Sequence, residues 1–245
     1  MFSAVYISET QIAFDREALI EHMNHVQGKT DVVLQVPSLQ NHLLIPFLAY
    51  IYTFCYGHFP QVDVDITFAE VAITPTSKFE TVTLEPFLHN PVPTVCFGGT
   101  FDRMHNGHKL LISAAVLLCQ KELIIGVTRK TSQKAHSDLI QPFHQRASNC
   151  IDFIFKLNQN LICRIEVLDD VAGPAGTIDS IDLLVVSQES IKGGEMVAQI
   201  REERHLKPIE CAVVPLVTRM TGSRLSSSHL RELLSSNHGA HEDQA

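Results

Sequence analysis

From residue 94 onward, short apolar runs alternate regularly with segments of helical periodicity. The apolar runs have the length and the β-branched content of buried strands. Predicted strands cover residues 94–97, 123–128, 162–168, 181–187 and 211–217, and predicted helices lie near residues 107–120, 142–157 and 195–205. This alternation implies right-handed βαβ crossovers and a mainly parallel sheet. Ligands of such sheets bind beyond the carboxyl ends of the strands.

A smaller α/β unit is predicted before this alternation begins. It contains a strand at residues 4–7, a helix at 16–26, a strand at 31–36, an apolar helix after Asn41 and a strand at 62–71. The polar, proline-bearing stretch from Thr74 to Pro93 is predicted to be a linker. We therefore expect two domains, residues 1–90 with the linker and residues 91–245. The sequence assigns the first of them no role.

Composition excludes several classes of function. A chain of 245 residues with 45% hydrophobic content can bury a full α/β core. Its formal net charge of -8 argues against a nucleic-acid or anionic-membrane binder, because such proteins usually present a basic face. The longest apolar run, residues 43–56, contains Pro46 and is too short to cross a bilayer. We expect a core helix there, no transmembrane segment and no nucleic-acid partner.

The cysteines and the start of the chain indicate a compartment. The 6 cysteines lie mostly within apolar segments and form neither a Cys-x-x-Cys pair nor a spacing typical of zinc sites. Buried free thiols in a reducing compartment are the simplest interpretation. Residues 1–15 include Glu9 and Asp15 and lack the cationic region of a signal or transit peptide. A cytoplasmic location is therefore expected.

The stretch from Gly98 to His108 carries the first chemical motif. Gly98 and Gly99 follow a predicted strand and are interpreted as a turn, and helical periodicity begins at Asn106. His105 and His108 therefore fall at a helix entrance. Backbone N–H groups there lack intrahelical partners, and the helix dipole adds partial positive charge, so a triphosphate can be held without a large basic patch. Taken alone, the same pattern is also typical of a tight turn followed by solvated histidines.

A second candidate anion site lies near the carboxyl end of the chain. Ser226, Ser227 and Ser228 open a short predicted helix that includes Arg231. Serine side chains and free N–H groups at a helix start would again face an anion. Without other context, a serine run is more often an N-cap or a flexible linker.

The two motifs together resemble those of the nucleotidylyltransferase superfamily. Its members carry His-x-Gly-His after the first strand and a serine-rich motif with an arginine after the last; here these are residues 105–108 and 225–231. Residues 98–103, 126–130, 168–169, 173–176, 185–190 and 192–194 more specifically resemble eukaryotic phosphopantetheine adenylyltransferases, the first catalytic half of bifunctional coenzyme A synthases. The resemblance covers residues 94–234. It implies an α/β fold with a Rossmann-like parallel sheet of the nucleotidylyltransferase type, preceded by the smaller N-terminal α/β unit.

The resemblance also implies an activity, the transfer of AMP from ATP to 4′-phosphopantetheine, giving dephospho-coenzyme A and pyrophosphate. His108 would stabilise the α-phosphoryl transition state, and His105 would contact the ATP phosphates. Lys130 would hold the acceptor phosphate, with Arg129 as the alternative. Mg²⁺ would bridge phosphate oxygens, largely through water.

Further binding roles follow from the same resemblance. Thr100 would contact both ATP and the transferring phosphate, and Arg231 would close over the β- and γ-phosphates held by the serine run. The remaining residues implied in ATP binding are Gly98, Gly99, Phe101, Gly107, Ser226, Ser227 and Ser228. Asp170 and Gly173 would line the pantetheine groove, although a structural turn explains them nearly as well.

Other functions stay open beside this one. Bacterial members carry Arg-Gly-x-Arg after the fourth strand, whereas residues 187–190 read Ser-Gln-Glu-Ser, so the bacterial arginine roles do not transfer and Lys192 is the nearby cation. One alternative is another adenylyl- or cytidylyltransferase of the same fold, although residues 218–226 lack the Arg-Thr-x-Gly-Ile-Ser-Thr signature of cytidylyltransferases. The other is a non-catalytic nucleotide-binding homologue. Since no P-loop is found in the sequence, we expect a separate dephospho-coenzyme A kinase as a partner.

Overall fold

The computed structural model describes residues 1–40, 42–74, 76–134, 136–217 and Arg231. The first of its two five-stranded sheets has the strand order β4-β3-β1-β2-β5. Strands β1, β3 and β4 run parallel, whereas β2 pairs antiparallel with both β1 and β5. The elements of this unit are β1 (Phe2–Ser8), β2 (Gln11–Phe14), α1 (Arg16–Asn24), β3 (Gly28–Val36), α2 (Leu44–His58), β4 (Val62–Glu70) and β5 (Glu80–Thr83).

β5 lies inside the segment predicted to be a linker, and this part of the prediction is wrong. Gln11 of β2 lies opposite Thr83 of β5, and Phe14 lies opposite Glu80. β5 is short and has Val82 as its single apolar residue, so no apolar run marks it in the sequence. Pairing with a strand far away in sequence, rather than a local hydrophobic pattern, makes these residues a strand.

The second sheet is parallel throughout, which confirms the α/β fold class predicted for this part of the chain. Its strand order is β10-β9-β6-β7-β8. The elements are β6 (Val92–Gly99), α3 (Asn106–Leu117), β7 (Cys119–Thr128), α4 (Phe143–Leu157), β8 (Ile162–Leu168), β9 (Leu183–Ser187), α5 (Ile191–Glu203) and β10 (Glu210–Val214). The chain leaves β6 toward β7 and β8, then returns to the other side of β6 at β9. A crevice therefore opens between the carboxyl ends of β6 and β9.

Helix α5 begins at Ile191 rather than near residue 195 as the sequence predicts. A 3-10 turn at Gln188–Ser190 leads directly into it. The sequence does not indicate this start, because Gly193 and Gly194 lie in the first turn and glycine is a poor helix former. A Cβ atom on Gly194 would lie 3.1 Å from the Sγ atom of Cys211, so close packing of α5 against β10 explains that glycine.

Helix α2 joins the two units of the structure. Phe47, Leu48, Ile51 and Tyr52 are fully buried, and the helix contacts β4 of the first sheet and α3 of the second unit. A helix with apolar residues all round is expected where both sides are covered. Pro46 is accommodated because it lies in the first turn, where the missing N–H would have no helical partner. No helix in the described ranges has the length and apolar character to cross a membrane.

Candidate active site

A cleft of about 530 Å³ opens at the carboxyl edge of the second sheet. This volume is typical of pockets that bind a small molecule or cofactor. The last residues of all five strands face it, together with the segment that follows β10. These lining residues include Gly98, Gly99, Thr128, Leu168, Ser187, Pro215 and Val217. The cleft therefore lies at the edge where the sequence predicts a ligand.

Gly98 and Gly99 are the last residues of β6, so their interpretation as a turn is wrong. Gly98 lies opposite Gly126 of β7, and neither Gly98 nor Gly99 has a positive φ. A Cβ on Gly98 would lie 3.2 Å from the carbonyl oxygen of Gly126 and 3.4 Å from the Cδ2 atom of Leu168. These glycines thus permit close packing beside the cleft rather than a reversal of the chain.

The chain reverses after β6, and two residues of this reversal have a backbone conformation that is rare for residues with a side chain. Phe101 has φ 53° and Arg103 has φ 48°, both in the left-handed region. Such backbone is costly for residues with a side chain and persists where surrounding contacts fix it. The ring of Phe101 is fully buried against Phe97, and the N–H of Arg103 donates to the Oε1 atom of Gln141 at 2.8 Å.

His105 and His108 meet at the start of α3, as predicted. His105 is the N-cap residue, and the two rings stack with centroids 3.8 Å apart and planes at 21°. Gly107 is required beside them, since a Cβ there would lie 3.1 Å from the Cε1 atom of His105. The ring of Phe101 lies 5.3 Å from that of His108. Both histidines line the cleft.

Both imidazoles are neutral at pH 7. The pKa of His105 is lowered to about 4, mainly by burial and in addition by the ammonium group of Lys109, while Asp102 acts in the opposite direction. Burial also holds the pKa of His108 well below its ordinary value, with a further lowering from His105. The Nδ1 atom of His108 has no hydrogen-bond partner among the described residues. A neutral imidazole can still donate one N–H to a phosphate oxygen.

Asp102 connects this histidine segment to Arg231. Its Oδ1 atom accepts from the backbone N–H of Gln141 at 3.0 Å, and its Oδ2 atom accepts from the Nη1 of Arg231 at 2.8 Å. Both side chains of the ion pair are buried, and Arg231 also lines the cleft. The pairing brings Arg231 of the second predicted motif to the first motif, and Ser226, Ser227 and Ser228 lie outside the described residues.

Arg146 is a further site residue, which the sequence reasoning missed. It is 2% exposed, and its guanidinium donates to the carbonyl oxygens of Gln141, Thr100 and Thr128 at 2.8, 2.6 and 2.9 Å. One buried fork thus ties together the loops that follow β6 and β7. A signal was present, because Arg146 lies one helical turn before Cys150 in the apolar stripe of α4.

Comparison with known proteins identifies the family. The sequence profile described as cytidylyltransferase-like matches residues 96–233, which is more than half of the chain. The chain belongs to this cytidylyltransferase-like family. It is 34% identical over 153 residues to the phosphopantetheine adenylyltransferase of Saccharomyces cerevisiae, covering 60% of this chain and 50% of the yeast protein. It is 36% identical over 139 residues to the phosphopantetheine adenylyltransferase of Pyrococcus horikoshii, covering 56% of this chain and 87% of that protein.

This cytidylyltransferase-like chain is therefore a homologue of phosphopantetheine adenylyltransferases, within the nucleotidylyltransferase superfamily. It spans half the length of the yeast relative. One solved structure, a protein of unknown function from Archaeoglobus fulgidus, is 30% identical with a TM-score of 0.43, covering 49% of this chain and 97% of that chain.

In the loop after β7 of this cytidylyltransferase-like chain, the lysine that lines the cleft differs from the predicted one. Lys130 is exposed and is not among the residues that line the cleft, and Arg129 pairs with Asp169. Lys134, four residues further along the loop, does line it. Burial lowers the pKa of Lys134, and Arg231 also lowers it. The structure thus places a different lysine of the same loop at the cleft.

Asp170 and Gly173 form a turn beside the cleft and are not among the residues that line it. The Oδ1 atom of Asp170 accepts from the N–H of Gly173 at 2.6 Å, and Gly173 has φ 46°. The lining residues are their neighbours Val171, Ala172, Pro174 and Ala175. This loop is also fixed by Arg201, which the sequence reasoning missed: the side chain is fully buried and donates to the carbonyl oxygens of Ala175, Ile178 and Lys207 at 2.6, 2.9 and 2.7 Å.

The segment after β9 contributes polar groups to the cleft. Ser187, Glu189 and Ser190 line it, and the Oγ atoms of Ser187 and Ser190 lie 3.2 Å apart. Lys192 is exposed and is not among the lining residues. Within the described part of the chain, no three His, Cys, Asp or Glu side chains gather closely enough to hold a metal ion.

Proposed function

We propose that this chain transfers the adenylyl group of ATP to the phosphate of 4′-phosphopantetheine, giving dephospho-coenzyme A and pyrophosphate. The observation that carries the proposal is the stacked pair of neutral imidazoles, His105 and His108, facing the cleft from the N-terminus of α3. The phosphopantetheine adenylyltransferases of yeast and Pyrococcus support the choice of acceptor.

The proposed reaction is a direct exchange at phosphorus. An oxygen of the acceptor phosphate attacks the α-phosphorus of ATP, a new P–O bond forms, and the bond to the bridging oxygen of pyrophosphate breaks. The protein takes no part in covalent bonding, so its contribution is to align the reactants and to offset the growing negative charge.

Each group at the cleft has a place in this reaction. His108 donates an N–H to an α-phosphoryl oxygen, and His105 donates to a neighbouring phosphate oxygen. Because both rings are neutral, the positive charge comes from the N-terminus of α3, from Arg231 and from the loop lysines. The N–H or hydroxyl of Thr100 contacts the transferring phosphate at the end of β6. Magnesium would enter as part of the substrate, MgATP, and would offset charge on the phosphates.

The acceptor phosphate needs a cation from the loop after β7. Lys130 is the candidate from the sequence, and Lys134 is the candidate that lines the cleft. We propose that one of these two lysines holds the acceptor phosphate. Replacing that lysine by glutamine should raise the KM for 4′-phosphopantetheine and leave the KM for ATP near the wild-type value. The apolar side of the cleft, with Leu168, Val171 and Pro174, suits the pantetheine chain.

The product suggests a partner enzyme, and the cysteines suggest a cellular compartment. Dephospho-coenzyme A would be consumed by an ATP-dependent kinase, and we propose a separate dephospho-coenzyme A kinase as that partner. All six cysteines are free, and burial raises the pKa of Cys96 to about 12, so it stays a thiol. Free cysteines suit a reducing compartment and support a cytoplasmic location.

The test is a panel of acceptors offered to the purified chain. Pyrophosphate release is followed with MgATP and 4′-phosphopantetheine, and in parallel with MgATP and nicotinamide mononucleotide and with CTP and phosphoethanolamine. The proposal requires release with 4′-phosphopantetheine that is at least tenfold faster than with the other pairs. Release with another pair alone would identify a different transferase of the same fold, and silence with all three while ATP still binds would identify a non-catalytic homologue.

A further inference from the structure

The N-terminus of α3 is tied to the first sheet through a buried lysine. Lys109 directly follows His108, and its side chain is 1% exposed. The ammonium group donates to Asp63, donates to the carbonyl oxygen of Val64 at 2.9 Å, and lies 2.7 Å from the Oδ1 atom of Asp65. All three of these acceptors belong to β4 of the first unit.

Asp65 also forms ion pairs with two further secondary-structure elements. It is 1% exposed and also pairs with Lys156 of α4 at 2.6 Å and with Lys29 of β3 at 3.2 Å. Burial acts to raise the pKa of Asp65, but Lys109 and the other two lysines hold it below the ordinary value. The carboxylate is therefore charged at neutral pH and can hold Lys109 through a charge-assisted bond.

The backbone of Lys109 links this anchor to the histidines. Its N–H donates to the carbonyl oxygen of His105 at 3.0 Å, which closes the first turn of α3. The ring of His105 stacks on that of His108 one turn further along. A displacement of Lys109 therefore moves both imidazoles relative to the cleft.

Simple packing would not require a charge at this position. An ammonium group leaves water at high cost, and an apolar side chain would fill the same space at lower cost. Three acceptors around one ammonium group, however, fix where that group lies. They thereby fix the rotation of α3 about its axis and its position along that axis. A nucleotidyl transfer that depends on alignment is sensitive to such a shift.

We propose that β4 of the first unit belongs to the working active site, because Asp63 and Asp65 position His105 and His108 through Lys109. The first unit is then needed for turnover and not for stability alone. This inference rests on the proposed adenylyl transfer, and it assigns to residues 1–90 the role that the sequence left open.

The first test compares two lysines of the same interface in the full chain. Lys109→Met removes the anchor of α3, whereas Lys156→Gln breaks an ion pair to the same Asp65 from α4. We expect Lys109→Met to lower kcat about 10- to 100-fold with KM for ATP nearly unchanged. Lys156→Gln should retain the wild-type kcat. Both are assayed well below their unfolding temperatures, so that a difference in stability does not enter.

A second variant separates positioning from stability. The pair Lys109→Met with Asp65→Asn removes both charges, which should return most of the stability that Lys109→Met loses alone. Positioning predicts that kcat stays low in this double variant. If kcat recovers together with stability, or if Lys109→Met turns over like the wild type, the proposal is overturned.

A third measurement does not depend on turnover. Imidazole NMR signals of His105 and His108, recorded at neutral pH, should shift in Lys109→Met and stay in place in Lys156→Gln. Unchanged signals in both variants would contradict the positioning role. A wild-type chain that shows no adenylyl transfer overturns the proposed function instead, and these signals still decide whether β4 positions the histidines.

Discussion

The Oδ2 atom of Asp102 lies 2.8 Å from the Nη1 atom of Arg231, across 129 residues of chain. Both side chains are buried, at 0% and 3% exposure. The loop that precedes the histidines is thereby joined to Arg231 by one ion pair. Arg231 was expected to close over the ATP phosphates; it lies at the cleft and is also held by a carboxylate.

This pair should matter strongly for stability. Asp102→Asn leaves the guanidinium of Arg231 buried without its charged partner, which typically costs about 3–5 kcal/mol in the free energy of unfolding. Denaturant titration measures the loss. Arg129→Gln, which breaks an exposed ion pair with Asp169, serves as the control and should cost about 1 kcal/mol or less. Equal losses in the two variants would contradict the assigned difference in burial.

His108→Ala should lower kcat by about 100-fold or more and leave the fold intact, because it removes a contact made to the transition state rather than core packing. The measurement is pyrophosphate release under saturating substrates, with unfolding curves recorded beside it. His144→Ala, on the exposed face of α4, is the matched control and should keep the wild-type rate. A rate near wild type in His108→Ala would refute the role given to this imidazole.

The neutral histidines should make stability depend on pH in a defined window. The pKa of His105 is about 4 in the folded chain and about 6.5 when unfolded, so the unfolded chain binds more protons between these values. The free energy of unfolding should therefore fall as the pH is lowered from 6.5 toward 4. Denaturant titrations at pH 7 and pH 4.5 should show a smaller loss in His105→Gln than in the wild type. Equal losses would mean that His105 does not resist protonation in the folded state.

Gly98 should not tolerate a side chain. In Gly98→Ala the new methyl group would lie 3.2 Å from the carbonyl oxygen of Gly126, so β6 and β7 must move apart beside the cleft, at a cost of about 1–3 kcal/mol. ATP binding, measured by calorimetry, should weaken as well. Gly28→Ala meets open space but has φ 80°, so it should lose about 1–2 kcal/mol through the backbone and keep wild-type ATP affinity. Unchanged ATP affinity in Gly98→Ala would argue against close contact between ligand and β6.

The parallel sheet could be predicted because its signal is local. The sequence pattern predicts β8 at its observed bounds, residues 162–168, and predicts the histidines at the start of α3, where they lie. β5 could not be predicted in this way, because its strand character comes from pairing with β2 across the chain. The glycine turn was misplaced because glycine serves close packing as well as turns, and here Leu168 and Gly126 decide between the two.

The same reason limits what could be predicted of the site. Arg146 and Arg201 act by donating hydrogen bonds to carbonyl groups of loops that are distant in sequence. The local sequence pattern does not predict which carbonyl groups accept these bonds. The contacts of Lys109 with Asp63 and Asp65 join α3 to the first sheet, and they follow from how β4 packs on α3. Lys134 rather than Lys130 reaches the cleft because of the course of the loop after β7.

The most direct measurement is identification of the product formed by the wild-type chain from MgATP and 4′-phosphopantetheine. Mass spectrometry of the reaction, with pyrophosphate quantified in the same sample, should find dephospho-coenzyme A in a one-to-one ratio with pyrophosphate. The His108→Ala variant should form neither at a comparable rate. Pyrophosphate without dephospho-coenzyme A, or no product from a folded chain that binds ATP, would contradict the account.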